Sequence, residues 1–216
     1  MTVYFLSWIL SAGAAYAGAV LLNRFAEREF SLCPEDLEHP HALGKQQSRR
    51  RILCLWTALL FSFFSLVGAG MEGAALLWGI LYMAGLSAVF MTDLEQSLIP
   101  DEWPLLFLLL GLFGSPAASA GLPERAAAGF FLLAFFFVLA VLTKGGIGGG
   151  DIKLAGSLGF CLGGTGAEQM LLGGITAGGL AALVLVAGHQ KTMKDPFPYG
   201  PYFAAAAMAA WLTGLP

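Results

Sequence analysis

The chain has 216 residues and a formal net charge of −3; 57% of it is hydrophobic and only 12% is charged. An ordinary soluble domain carries about a quarter of its residues as charged side chains, so long uncharged runs point to a polytopic membrane protein and away from a globular core. Cys33, Cys54 and Cys161 are scattered, odd in number and free of any C-x-x-C pair, which excludes a disulfide framework.

A first apolar segment runs from about Val3 to Leu22. It is apolar from the first residue and lacks a positive n-region, so it reads as a retained helix and not as a cleaved signal. Arg24 to Arg51 is the only long polar stretch and contains Pro34, Pro40, His39 and His41. Seven further apolar segments follow: Ile52–Met71, Gly73–Thr92, Trp103–Ala120, Ala126–Leu142, Leu154–Ala167, Met170–Gly188 and Gly200–Leu215. A bilayer core takes about 20 helical residues. Leu154–Ala167 is short and glycine-rich, and reads as a broken or partly re-entrant helix covered by its neighbours. The fold expected is all-α: one membrane-embedded helical bundle over residues 1–216, with a short loop at 24–51. Eight spans is the first reading; six or seven are the alternatives.

Lysine and arginine set the orientation. With the 24–51 loop in the cytoplasm and strict alternation, Arg24, Arg28, Lys45, Arg49, Arg50, Arg51, Lys144, Lys153, Lys191 and Lys194 all fall on the cytoplasmic side. Only Arg125 falls outside. Ten of the eleven basic residues therefore obey one eight-span topology with both termini outside.

The same alternation brings two acids to one membrane face. Asp93 ends the third span, and Asp151 opens the sixth behind the glycines of Lys144-Gly145-Gly146-Ile147-Gly148-Gly149-Gly150. An acid at membrane depth is costly and marks a functional site by default; glycines beside it let backbone approach closely. Two carboxyls held together share a proton, so one takes a proton from water while the other polarises a carbonyl. Neither a metal nor a cofactor is needed for that chemistry. For Glu95, Asp101, Glu102 and Glu168 the plainer reading is an interfacial helix end.

The motifs around the two acids resemble those of type IV prepilin peptidases. Thr92-Asp93-Leu94-Glu95-Gln96-Ser97-Leu98-Ile99-Pro100-Asp101 is similar to the family's first aspartate motif, and Gly148-Gly149-Gly150-Asp151-Ile152-Lys153 to its G-x-G-D motif. Pro198-Tyr199-Gly200-Pro201 resembles the C-terminal P-[FY]-G-P, and Leu22-Asn23-Arg24 fits the N-terminal asparagine and arginine. The resemblance implies a membrane aspartic endopeptidase with Asp93 and Asp151 as the catalytic pair. Gly148 and Gly150 would shape the approach to substrate, with Asp101, Lys153 and Pro201 in support. The substrate implied is a prepilin or pseudopilin with a basic leader, cut at the cytoplasmic face of a bacterial inner membrane. Glu95 and Glu102 would attract that leader, with Asp195 at the same face. Membrane lipid is the other expected partner, and nucleic acid is not one. The first loop departs from the larger family members: it has no two C-x-x-C pairs, so their structural zinc site and their N-methylation activity are not carried over. Cys33, His39 and His41 read as parts of a solvated loop and not as metal ligands.

Three other readings are weaker. A presenilin-like protease shares G-x-G-D but pairs it with Tyr-Asp and P-A-L, where this chain has Thr92-Asp93 and P-Y-G-P. A small transporter or channel would use glycine-broken helices and an intramembrane acid, yet both acids fall at one face and no inverted repeat is evident. A non-catalytic assembly component would have no need of both aspartates.

Overall fold

The computed structural model describes residues 2–32, 45–68, 70–113, 120–144, 146–188 and 197–214. Among these residues the chain forms eight α-helices and no strand. They are α1 (Thr2–Leu32), α2 (Lys45–Gly68), α3 (Gly73–Gln96), α4 (Glu102–Leu112), α5 (Leu122–Leu142), α6 (Gly149–Leu162), α7 (Gly164–Ala187) and α8 (Gly200–Thr213).

Among the described residues, four stretches are long and apolar enough to cross a membrane: Gln47–Val67, Gly73–Gln96, Leu122–Leu142 and Gly164–Ala187. Their outer faces carry large apolar side chains turned away from the protein, such as Phe130, Phe131, Leu180 and Val184. This is how a chain looks when lipid replaces water as its neighbour. The molecule is an all-α polytopic membrane bundle. α4, with 11 residues, and α6 and α8, with 14 each, are shorter. At 1.5 Å per residue they reach only about 16 and 21 Å, short of a bilayer core of about 30 Å.

The polar stretch after the first apolar segment differs from the loop expected. α1 continues through residue 32 and α2 begins at residue 45, so both flanks of the 24–51 segment are helical. Between them, residues 33–44 lie outside the described residues. The extension follows from packing. Ala19, Asn23, Ala26 and Phe30 recur at helical spacing and are all buried, so the buried stripe of α1 outlasts its apolar run.

The glycine-rich segment is also divided differently. α6 starts at residue 149, ahead of the expected 154, and the break before α7 is the single residue Gly163 at φ 78°. L-residues avoid that region, and a Cβ there would meet Ala120 at 2.9 Å. The break therefore sits where glycine is obligatory, and α6 is a short half-helix with most of its residues buried. It packs against α5 and α4 and reaches α7 and α8.

A half-helix leaves terminal carbonyls without partners, which lipid cannot supply. Arg125, on α5 and 5% exposed, meets this need. Its guanidinium donates to the Gly111 carbonyl near the end of α4 and, at 3.2 Å, to the Phe160 carbonyl near the end of α6, while lying over the Phe160 ring. One cation thus closes the negative ends of two short helices. Between the two ends of the bundle lies an aromatic core of Trp78, Tyr82, Phe107 and Trp211. Its polar atoms are satisfied: Trp78 donates to the Leu110 carbonyl and Tyr82 to the Ala207 carbonyl.

Candidate active site

Tyr82, Leu86, Val89 and Asp93 form one buried stripe along α3, and Asp93 is its polar end. Its carboxylate Oδ2 accepts the backbone N–H of Gly200 at 2.9 Å. Gly200 is the first residue of α8, where peptide N–H groups have no intrahelical partner. A Cβ at position 200 would lie 2.7 Å from the same oxygen, so only glycine lets the backbone come this close. Pro201 follows in the first turn, where its missing N–H costs nothing. The Pro-Tyr-Gly-Pro segment thus delivers a helix N-terminus to Asp93. The peptide N–H of Ser97, at φ 50°, ends α3 by donating to the Asp93 carbonyl at 2.8 Å.

Asp151 sits in the first turn of α6 behind Gly148, which caps the helix. Its carboxylate takes a hydrogen bond from the Gly148 backbone, the acidic half of a capping box. Oδ1 is buried and has no partner among the described residues. Burial pushes the carboxyl up to about 6, with the Gly148 hydrogen bond opposing the shift. Leu154, Ala155, Leu158 and Leu162 continue inward from Asp151 on one buried face. Both acids therefore cap core-facing stripes of their helices.

The two motifs are tied together beyond the acids. Gly150 packs on Ile99, where an added Cβ would lie 3.0 Å from the Ile99 Cβ. Lys153 Nζ donates to both carboxylate oxygens of Asp101, at 2.7 and 2.8 Å. Both side chains are exposed, so this pair adds little stability, but it sets the register of the loop before α4 against α6. α4 and α8 each pack on both α3 and α6. The end of α3, the start of α6 and the start of α8 thus meet at one end of the bundle.

Glu95 and Glu102 occupy different settings. Glu102 is exposed in the first turn of α4. Glu95 accepts a 2.9 Å ion pair from Arg51, a residue only 2% exposed. Arg51 also donates to Asn23 at 3.0 Å and to Glu27 at 3.2 Å, and lies over the Phe30 ring; Asn23 in turn donates to Ser48. Sequence reasoning used Arg51 only as one of the basic residues of the cytoplasmic side and missed this node. The signal was the Asn23, Glu27 and Phe30 spacing, which carries the face of α1 into the polar stretch. No three His, Cys, Asp or Glu side chains among the described residues lie together as metal ligands would. Cys33, His39, His41 and Asp195 lie outside the described residues.

Short helices buried among longer apolar ones, with two acids at the ends of core-facing stripes, define a polytopic helical membrane protein with an acidic candidate site. Residues 80–187, half of the chain and inclusive of both acids, match the model of the type IV leader peptidase family. The chain belongs to that family. It is similar to the prepilin leader peptidase/N-methyltransferase of Bacillus subtilis (strain 168), 36% identical over 140 residues, covering 62% of this chain and 55% of the relative. The protein of the same name from Burkholderia pseudomallei (strain K96243) is 34% identical over 154 residues, 68% of this chain and 49% of the relative. That from Aeromonas hydrophila is 32% identical over 173 residues, 77% and 59%. The chain thus spans about half the length of the curated relatives it matches. No solved structure gives a significant match.

Proposed function

We propose that this chain is an aspartic endopeptidase that removes the basic leader of prepilin or pseudopilin substrates, with Asp93 and Asp151 acting as a pair. The observation that carries this reading is the position of the acids. Each ends a core-facing stripe, and the loop that leaves the Asp93 helix is tied to the start of the Asp151 helix by the Ile99–Gly150 and Asp101–Lys153 contacts. Family membership and the printed names of the relatives support it.

In the proposed reaction an ionised carboxylate takes a proton from a water molecule as that water attacks the scissile carbonyl. The partner, protonated, donates a hydrogen bond to the carbonyl oxygen as negative charge builds there. The tetrahedral intermediate collapses, the C–N bond breaks, and the proton passes to the departing amine. The unpartnered Oδ1 of Asp151 and its raised affinity for a proton suit a shared-proton pair. Gly148 leaves room for substrate backbone beside that carboxyl, while Gly150 lets the start of α6 close on Ile99; Asp101, Lys153 and Pro201 are supporting positions. The distribution of lysine and arginine supports an inner-membrane protein with this end at the cytoplasm. There the exposed Glu102 would favour a basic leader while the substrate's apolar helix stays in lipid.

The test is cleavage of a prepilin by the purified chain in detergent, read by product mass. Wild type is expected to release the leader. Asp93→Asn and Asp151→Asn are each expected to lose at least roughly 10³-fold in kcat, the scale of losing one member of a catalytic unit. Leader release that persists in both variants would overturn the reading.

A further inference from the structure

The Arg51 node has no role in the reaction proposed above, yet it touches the last turn of the helix that carries Asp93. Glu95 follows Asp93 by two positions, and residues so spaced lie on nearly opposite sides of a helix. Asp93 faces α8 and accepts from Gly200, while Glu95 faces α1 and α2 and accepts from Arg51. Just beyond them the chain leaves the helix through the left-handed Ser97. A helix end of this kind frays unless it is held. Here it is held from both sides, and one of the holds is a buried cation whose nitrogens reach α1 and α3 at once.

We infer that Arg51 is a positioning residue for Asp93, acting through Glu95 on the last turn of α3. The inference rests on the proposed peptidase reading. The geometry of the guanidinium supports it. A planar fork donates in several fixed directions, which a lysine ammonium does not reproduce. Nε meets Asn23, one terminal nitrogen meets Glu27 and the other meets Glu95. The helix pair α1–α2 is thereby keyed to the catalytic end of α3 by one side chain. Glu95 is then engaged inside the protein and is not a receptor for the basic leader.

The two roles for Glu95 give opposite kinetics. As part of the positioning device, Glu95→Ala lowers kcat with KM within about twofold, by roughly 10- to 100-fold if the carboxyl of Asp93 shifts by about an ångström. Arg51→Met does the same, and the double variant is no worse than the worse single, because the two act as one unit. Glu95→Gln keeps a carbonyl acceptor for Arg51 and stays within about threefold of wild type. Wild type assayed beside the variants separates failure of the peptidase reading from failure of this inference. An activity-free readout accompanies the kinetics: amide hydrogen exchange rises over residues 93–97 and at Gly200 in Glu95→Ala. If Arg51→Met does not fold, the Glu95 variants still decide. A raised KM at unchanged kcat, multiplicative losses in the double variant, or unchanged exchange at those amides would each overturn the inference.

Discussion

Arg51 and Arg125 are both almost fully buried, and they sit at opposite ends of the same bundle. At one end Arg51 is bonded to side chains: two carboxylates and an amide from α1 and α3. At the other end Arg125 is bonded to main-chain carbonyls of α4 and α6 and rests on a phenyl ring. The difference separates two tasks. Backbone carbonyls at helix ends need a donor whatever the chemistry, so Arg125 answers a structural need of half-helices in lipid. The partners of Arg51 are side chains, two of them acids, and one of these follows Asp93 by two positions. A cation that holds a helix end beside the acid proposed as catalytic would bear on geometry as well as on stability.

Removing Arg125 gives the largest stability change that this contrast predicts. Arg125→Met leaves two helix-end carbonyls without a charged donor, each worth about 1.5–3 kcal/mol, so a loss of roughly 3–6 kcal/mol is expected. Thermal unfolding in detergent reads it, and the fraction that stays folded is expected to keep wild-type kcat. A variant of full stability and low kcat would reverse the assignment of the two arginines.

A smaller effect concerns Asp151. Its folded carboxyl is pushed up to about 6, above the ordinary 3.8. The folded state therefore binds this proton more tightly than the unfolded state. The associated stability is fully present below pH 3.8 and is lost as pH rises through 6. Asp151→Asn, which keeps an acceptor for Gly148, is thus expected to be more stable than wild type at pH 8, by about 2–3 kcal/mol. The gain should fade towards pH 4. Equal unfolding midpoints for the two proteins across that range would show that the carboxyl is not desolvated.

The two ends were unequally legible in the sequence. Asp93, Asp151 and the short glycine-rich helix stood out, because acids and glycine runs are rare against apolar spans. The break at Gly163 was harder to place, since several glycines lie nearby and only the backbone shows which one takes φ 78°. The Asp101–Lys153 pair and the Gly200–Asp93 hydrogen bond join residues far apart in the chain, and no periodicity encodes such meetings. Arg51 was hidden by its company: in Arg49-Arg50-Arg51, two side chains are exposed and the third is buried. Helical phase distinguishes them only once α2 is known to begin before them. The ion pair of Glu95 was hidden for the same reason, as its partner comes from another helix.

The central claim is that Asp93 and Asp151 face one another as a working pair, and cross-linking in membranes tests it most directly. With Cys33, Cys54 and Cys161 replaced by serine, single cysteines are placed at positions 93 and 151. The pair at 101 and 153, joined here by an ion pair, serves as the reference. The account predicts that a short thiol cross-linker joins 93 to 151 as readily as 101 to 153, and that bound prepilin slows the 93–151 reaction alone. Efficient cross-linking at 101–153 with none at 93–151 would contradict it.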